Sequence, residues 1–394
     1  MAPALRLAVF SDDAYARVGD AVQGEMAVTL FLAAFAEHVQ RLVIVGRLDD
    51  APDRGRFALP AGVDFASLPY GADLTRPLAV ARTAIPALTR FWRVLDDVDT
   101  VWLLGPSPLG LLFAVLARLR GRAVALGVRM SYPDYVRHRH PERRWLHWAA
   151  RALDAAWRGL ARSVPTVVVG ADLAARYRRA QRLLSTPVSL VAAADVLEDD
   201  QARRRSYEGE LRLLAVGRID AEKNPLLLAD VLAGLRADDR RWRLVVCGDG
   251  PLRGELTARL QALGLASNGE LRGHVAVDEL REAYRSSHAF LHVSWTEGVP
   301  QVLFEAFAAG LPVVATDVGG VREAAGPEAA LLIPPGDPQA AVAALRRIAG
   351  DQALRSEMVE HGLEIARRHT REAQSRRVVE FLAARGHTPK RVGD

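Results

Sequence analysis

Short apolar runs separated by amphipathic stretches recur along this chain, and they fall into two series. Leu5 to Phe10 reads as a buried strand, followed by a polar loop and an apolar helical run from Met26 to His38. Leu42 to Val45, Val101 to Leu104, Ala123 to Leu126 and Thr166 to Val169 continue the strands, with helical segments between them. Apolar runs spaced by helices predict a parallel sheet covered on both faces. The pattern then restarts, with strands expected at Arg212 to Val216, Arg243 to Cys247, Phe290 to Val293, Pro312 to Ala315 and Ala330 to Ile333. Between the series, Asp195 to Gly209 holds Glu-Asp-Asp and Arg-Arg-Arg and no apolar period, which is the pattern of a linker. The expected architecture is α/β: two doubly wound domains facing a central cleft, because such sheets bind ligands at the carboxyl ends of their strands. The expected boundaries are 1–195 for the first domain, 196–209 for the linker and 210–368 for the second domain. A final helix and tail, 369–394, is expected to cross back to the first domain.

Composition narrows the class. Half of the residues are apolar and a quarter charged, as in ordinary soluble domains, and 394 residues suffice for two large cores. The apolar run in Met1 to Phe10 is too short for a signal-peptide core. Leu109 to Ala117 is about half of what crosses a bilayer, so a cytoplasmic protein is expected. Cys247 is the only cysteine, which excludes an internal disulfide and a cysteine-based metal cluster. Of the 52 basic residues only Lys223 and Lys390 are lysine. Residues 1–208 carry 28 basic and 22 acidic side chains, whereas residues 209–335 carry 13 and 17, so the halves are expected to meet different partners. No zinc pattern, aromatic RNA-binding signature or helix-turn-helix signal accompanies the basic half, and nucleic acid is not expected as a partner.

Candidate chemistry concentrates in the second half. The strand ending at Val216 runs into Gly217-Arg218-Ile219-Asp220-Ala221-Glu222-Lys223-Asn224-Pro225, placing Arg218 and Lys223 on one loop at the mouth of the sheet. A guanidinium fork and a point charge close together suit a diphosphate, although a solvated surface loop has the same composition. Cys247-Gly248-Asp249-Gly250-Pro251 lacks the three-glycine dinucleotide spacing and reads as a tight strand-to-helix turn. In Glu297-Gly298-Val299-Pro300-Gln301-Val302-Leu303-Phe304-Glu305 two carboxylates flank an expected helix start. A helix start offers free N–H groups to an anion, and carboxylates accept hydrogen bonds from sugar hydroxyls.

These elements, with Asp317-Val318-Gly319-Gly320-Val321-Arg322-Glu323 and Leu331-Leu332-Ile333-Pro334-Pro335-Gly336-Asp337-Pro338, resemble the retaining GT-B glycosyltransferases of family 4, the group 1 glycosyl transferases. The resemblance runs from about Leu211 to Leu345. It implies a GT-B fold of two Rossmann-like domains. It also implies that Arg218 and Lys223 neutralise the diphosphate of a nucleotide-sugar donor, that Glu305 binds ribose and that Glu297 binds the donor sugar. Backbone groups of Gly298, Val299, Pro300 and Gln301 would meet sugar and phosphate, and those of His274 and Val275 the base. No cofactor and no metal are expected, since the cationic pair does what a metal would do for the leaving group. Asn224 stands where the family usually has glycine.

The first half resembles the family loosely. Ala21-Val22-Gln23-Gly24-Glu25 stands for the family's paired glycines, with Gly24 filling one position. Arg129, in Gly127-Val128-Arg129-Met130, takes the place of a histidine that the family often carries near the reacting sugar. An arginine cannot act as a general base but can stabilise a departing phosphate. Asp12, Asp13 and Asp134 are further candidates. Tyr135 to Arg182 holds eleven Arg against three acidic residues. On the expected helix Arg143 to Arg162, the residues Leu146, Ala150, Leu153, Trp157 and Leu160 form a core face beside a stripe of Arg143, His147, Arg151, Arg158 and Arg162. Such a stripe near Trp145 and Trp148 fits peripheral contact with the inner face of an anionic membrane, or simply a solvated helix of an arginine-rich protein. The expected activity is transfer of a sugar to a hydroxyl acceptor, whether glycan, lipid-linked intermediate or small molecule. A 2-epimerase-like isomerase and a non-catalytic nucleotide-sugar binder are the other readings.

Overall fold

The computed structural model describes residues 5–49, 55–69 and 77–384. The chain divides into two compact units: the first runs to Leu190 and takes back the segment from Arg371 onward, and the second is Val191–Thr370.

The first unit contains β1 (Arg6–Val18), β2 (Ala21–Gly24), β3 (Arg41–Asp49), β4 (Phe57–Ala58), β5 (Val63–Pro69), β6 (Thr100–Gly105), β7 (Ala123–Val128), β8 (Pro165–Val168) and β9 (Arg182–Ser185). Its parallel part runs β5-β3-β1-β6-β7-β8-β9. Successive side chains of a strand point to opposite faces, and β1 shows the consequence. Leu7 and Val9 join one core with Phe31, Phe35 and Trp102, while Ala8 and Phe10 join another with Phe91, Phe113 and Trp157.

The polar loop expected after Phe10 is instead a continuation of β1. The strand bulges between Phe10 and Ala14, then pairs antiparallel with β2, Tyr15 opposite Gly24. Tyr15 and Ala16 are buried there. Ser11-Asp12-Asp13 fills the bulge and hid the continuity from the hydrophobic pattern. The helix Arg371–Ala383 belongs to this unit by burial, since Val378, Val379 and Leu382 pack among Leu7, Val9 and Trp102.

The second unit has β10 (Leu211–Val216), β11 (Trp242–Cys247), β12 (Gly269–Gly273), β13 (Ala289–His292), β14 (Val313–Thr316) and β15 (Ala330–Ile333). All pair in parallel in the order β12-β11-β10-β13-β14-β15. This is the doubly wound order whose direction reverses between the first and fourth strands, here β10 and β13. β12 was missed in the sequence because Gly269-Glu270-Leu271-Arg272-Gly273 has one apolar residue. The polar stretch 196–209 is not all free linker: Asp199–Arg203 is a helix whose Ala202 packs on Val359 and Leu363 of this unit.

Asn224 has φ +50°, a left-handed conformation disfavoured for residues other than glycine and asparagine. The position demands positive φ, and asparagine tolerates it. Asn224→Ala is expected to destabilise the protein by about 1–2 kcal/mol, with Asn224→Gly neutral or better. Urea titration of both variants checks this, and equal stability of Ala and Gly would show that the backbone strain is not felt.

Candidate active site

The site of the second unit is built at the reversal between β10 and β13, the place where doubly wound sheets bind ligands. Three loops meet there. The loop after β10 forms a short turn, Ala221–Lys223, capped by Asp220, whose Oδ1 accepts from the Lys223 N–H at 3.3 Å. The loop after β13 is tied to it through the Trp295 N–H, which donates to the Glu222 carbonyl at 2.8 Å. The loop after β14 is fastened by Thr316 Oγ1, which donates to the Ser294 carbonyl at 2.8 Å.

Glycine makes this crowding feasible. A Cβ on Gly319 would lie 1.9 Å from the Glu297 carbonyl oxygen, and one on Gly320 would lie 2.1 Å from that of Gly298. The Cys247-Gly248-Asp249-Gly250 turn has the same explanation. Gly248 presses on the Gly217 carbonyl and Gly250 on that of Ile219, so these glycines serve close backbone approach between loops.

Lys223 and Glu297, expected from their motifs, are brought together: Lys223 Nζ donates to Glu297 Oε1 at 2.5 Å. Ser294 Oγ donates to the same oxygen at 2.7 Å. His292, the last residue of β13, is buried and places Nε2 2.9 Å from it, out of line for a hydrogen bond. All three contacts fall on one carboxylate oxygen. Burial pushes the Glu297 carboxyl up, but His292 and Lys223 outweigh it and hold its pKa down at about 2, from an ordinary 4.5.

A carboxyl whose folded pKa is depressed stabilises the fold above its unfolded value and loses that contribution as pH falls through the folded one. Wild type is therefore expected to lose roughly 3 kcal/mol more than Glu297→Gln between pH 5 and pH 2. Denaturant titration at both pH values measures the difference, and parallel losses would refute the coupling.

Glu305 lies in the helix Gln301–Ala308 and has a separate partner. Tyr284 Oη donates to its Oε2 at 2.8 Å. Burial raises the Glu305 carboxyl above its usual range despite this hydrogen bond, and the nearby charge of Asp195 adds to the effect. The same helix starts at Pro300-Gln301 without a side-chain cap, leaving its first N–H groups for an anion. Arg218 is two-thirds exposed and paired within its own loop, with Asp220 at 2.6 Å and Glu222 at 3.2 Å, and it lines the same pocket as Lys223. His274 and Val275 leave the carboxyl end of β12, His274 exposed and Val275 half-buried.

Sequence reasoning missed Ser294, His292 and Tyr284. A histidine closing the otherwise apolar Ala289-Phe290-Leu291 was a readable signal for one of them. The buried Asn224 Nδ2 and Gln301 Oε1 have no hydrogen-bond partner among the described residues. An unsatisfied buried polar group costs about 1–3 kcal/mol, so these two need a reason to be there.

The first unit carries its own polar cluster at strand carboxyl ends. Asp12, in the β1 bulge, pairs with Arg47 of β3 at 2.7 Å. Burial raises its pKa although Arg47 works against it. Asp13 accepts from Ser11 Oγ, and Arg129, just past β7, reaches it with Nη2 at 3.1 Å. Asp134 is held by Ser131, whose contact is its largest influence and lowers its pKa. Gly24 ends β2 against Thr29: a Cβ there would lie 1.9 Å from Thr29 Oγ1, a packing reason for glycine at that position.

Residues 197–364 match the family model described as glycosyl transferases group 1. The sulfoquinovosyl transferase SQD2 of Arabidopsis thaliana is 27% identical over 341 residues, covering 82% of this chain and 63% of SQD2. The GDP-mannose-dependent alpha-mannosyltransferase of Mycobacterium tuberculosis is 40% identical over 136 residues, 34% of this chain and 33% of that one. The chain thus spans less than two thirds of the length of these relatives. Among solved structures, sucrose-phosphate synthase from Thermosynechococcus elongatus aligns with TM-score 0.67 at 18% identity, over 96% of this chain and 98% of that one. HepE from Anabaena in complex with UDP aligns with TM-score 0.67 at 15% identity, over 97% of this chain and 100% of that one.

With two doubly wound α/β units and these neighbours, the chain has the GT-B glycosyltransferase fold. Residues 197–364, which hold the reversal-point site just described, match the glycosyl transferases group 1 family model.

Proposed function

We propose that this protein is a retaining, family 4-type glycosyltransferase that moves a sugar from a nucleotide-diphosphate donor to a hydroxyl acceptor without a metal. The observation that carries the reading is the Lys223–Glu297 pair at the β10/β13 reversal, beside an uncapped helix start. Lys223 supplies a point charge for the diphosphate, and Arg218 supplies a second cation by exchanging its loop carboxylates for phosphate oxygens. The free N–H groups of Gln301 and Val302 add dipolar stabilisation of the leaving group. Glu297 keeps Oε2 for the hydroxyls of the donor sugar, and Glu305 takes the ribose. Asn224 Nδ2 and Gln301 Oε1 gain their missing partners from the bound donor. HepE was solved in complex with UDP and with UDP-glucose, which supports a nucleotide-sugar donor here.

The acceptor hydroxyl would attack from the face that the diphosphate leaves, so catalysis rests on positioning and charge. In the first unit, Arg129 in its ion pair with Asp13 takes the family histidine's place as a fixed cation. Arg129→Ala is expected to lower turnover at least tenfold with little change in nucleotide affinity, and Arg129→Lys to recover part of the rate. Steady-state kinetics decide this, and unchanged turnover would remove Arg129 from the mechanism.

The direct test of the function is incubation with a panel of nucleotide sugars and hydroxyl acceptors in the presence of a chelator. A glycosylated product that keeps the donor's anomeric configuration is expected. An epimerised donor, or binding without any product, would overturn the reading.

Peripheral membrane contact fits the helix Arg144–Ala161, which leaves Trp145 and Trp148 at 60% and 70% exposure beside exposed Arg144 and Arg151. No described helix is long and apolar enough to cross a membrane.

A further inference from the structure

The first unit holds a second concentration of positive charge at the opposite end of its sheet. The helix Arg144–Ala161 closes on Arg158 and Arg162, and the helix Ala171–Arg176 runs into Tyr177-Arg178-Arg179. Together they line an open surface cavity of about 280 Å³, its walls the exposed Arg158, Arg162, Arg176, Arg178 and Arg179 with Tyr177 and alanines. Arg162 stands three residues before β8 begins, and Arg179 three before β9 begins. Most of the cavity therefore lies where strands start, while Arg176 reaches Ser131 and Asp134 of the carboxyl-end cluster.

No lining residue is acidic. Asp154, buried beneath, is matched to Arg158 at 2.9 Å, and its other oxygen accepts from Tyr177 Oη at 3.4 Å. Arg176 reaches Asp134 at 3.5 Å. Among the described residues, Arg162, Arg178 and Arg179 have no acidic partner. Three uncompensated guanidinium groups around one cavity repel each other, and a chain gathers them where an anion is to be shared between them. Guanidinium forks match phosphate oxygens in paired hydrogen bonds, and the volume approaches that of a small-molecule pocket, larger than a single phosphate requires.

We propose that this cavity binds a phosphoryl group carrying two or more negative charges, either as a soluble phosphorylated compound or as the headgroup of an anionic lipid. The site is independent of the donor site in the second unit and of the transferase reading.

The test uses the full chain and inorganic pyrophosphate in calorimetry, with wild type, the Arg162→Ala/Arg178→Ala/Arg179→Ala variant and Lys223→Ala. The triple variant is expected to lose at least tenfold in affinity at one site that Lys223→Ala leaves intact. Arg162→Glu alone, a single exposed change, should weaken the same site, and thermal melts establish that each variant is folded. Vesicles of phosphatidylcholine with and without phosphatidic acid separate the sources. If phosphatidic acid vesicles bind wild type, lose the triple variant and are displaced by pyrophosphate, the lipid headgroup is the ligand. If vesicles are ignored while pyrophosphate binds, the ligand is soluble. Equal binding of both probes by wild type and triple variant, or binding of neither by wild type, overturns the proposal.

Discussion

Lys223→Ala is expected to weaken nucleoside-diphosphate binding about 10- to 150-fold while leaving nucleoside binding almost unchanged. A hydrogen bond to a charged group contributes about 1.5–3 kcal/mol, which converts to that range. The lysine sits on a turn fixed by Asp220, and its ammonium is held at Glu297, so it is already placed and little ordering cost is added on binding. Removing it also leaves the Glu297 carboxylate, 9% exposed, without its cation. Some loss of stability must accompany the loss of affinity, because an unpaired buried charge is costly. Lys223→Arg keeps the charge and should recover only part of the affinity, since the fork cannot occupy the position of a compact ammonium. Calorimetry with a nucleoside diphosphate and its nucleoside separates the two effects. If affinity for both falls equally, the lysine acts through the fold and the diphosphate assignment is wrong.

Glu297→Gln should lower turnover about 10²–10³-fold, the scale of losing one preorganised charged partner of the reacting centre. Affinity for the sugar-free nucleotide should fall less than it does in Glu305→Gln. The amide keeps the size of the side chain but removes the charge that orders Lys223, Ser294 and His292 around Oε1. Glu305→Gln should behave in the opposite way, weakening sugar-free nucleotide about tenfold and slowing turnover less. Its hydrogen bond from Tyr284 fixes the carboxylate on a separate helix face, outside the Lys223 network. Measuring kcat and nucleotide Kd for both variants decides between these roles. Loss of nucleotide affinity in Glu297→Gln as large as in Glu305→Gln would dissolve the distinction.

Much of this site was legible in the chain. Arg218, Lys223 and Glu297 stand out as charged residues on loops that leave apolar strands, Glu305 stands in the helix that follows, and the motif spacing is local. Asn224 is a similar case: a glycine-like position filled by the residue that best tolerates positive φ. Ser294 and Tyr284 were not legible, because a serine or a buried tyrosine becomes functional only through what it touches. Their roles depend on side-chain direction, which no window of sequence states. Arg218 shows the same limit from the other side, since its nearest partners are Asp220 and Glu222 of its own loop.

The sequence by itself determined that the chain has two α/β units, because the period of apolar positions is set by the backbone geometry of each strand and helix. It also determined which residue types could handle a phosphate or a sugar. Only the tertiary structure decided which strands are neighbours. β10 lies against β13, passing over β11 and β12, and that adjacency brings Lys223 to Glu297 across 74 positions of chain. It likewise showed β1 running through its polar bulge to Val18 and set five arginines around one cavity. Such proximities arise from packing two faces of a sheet at once, where the winning arrangement buries the most apolar surface over the whole domain. No short stretch of residues carries that sum.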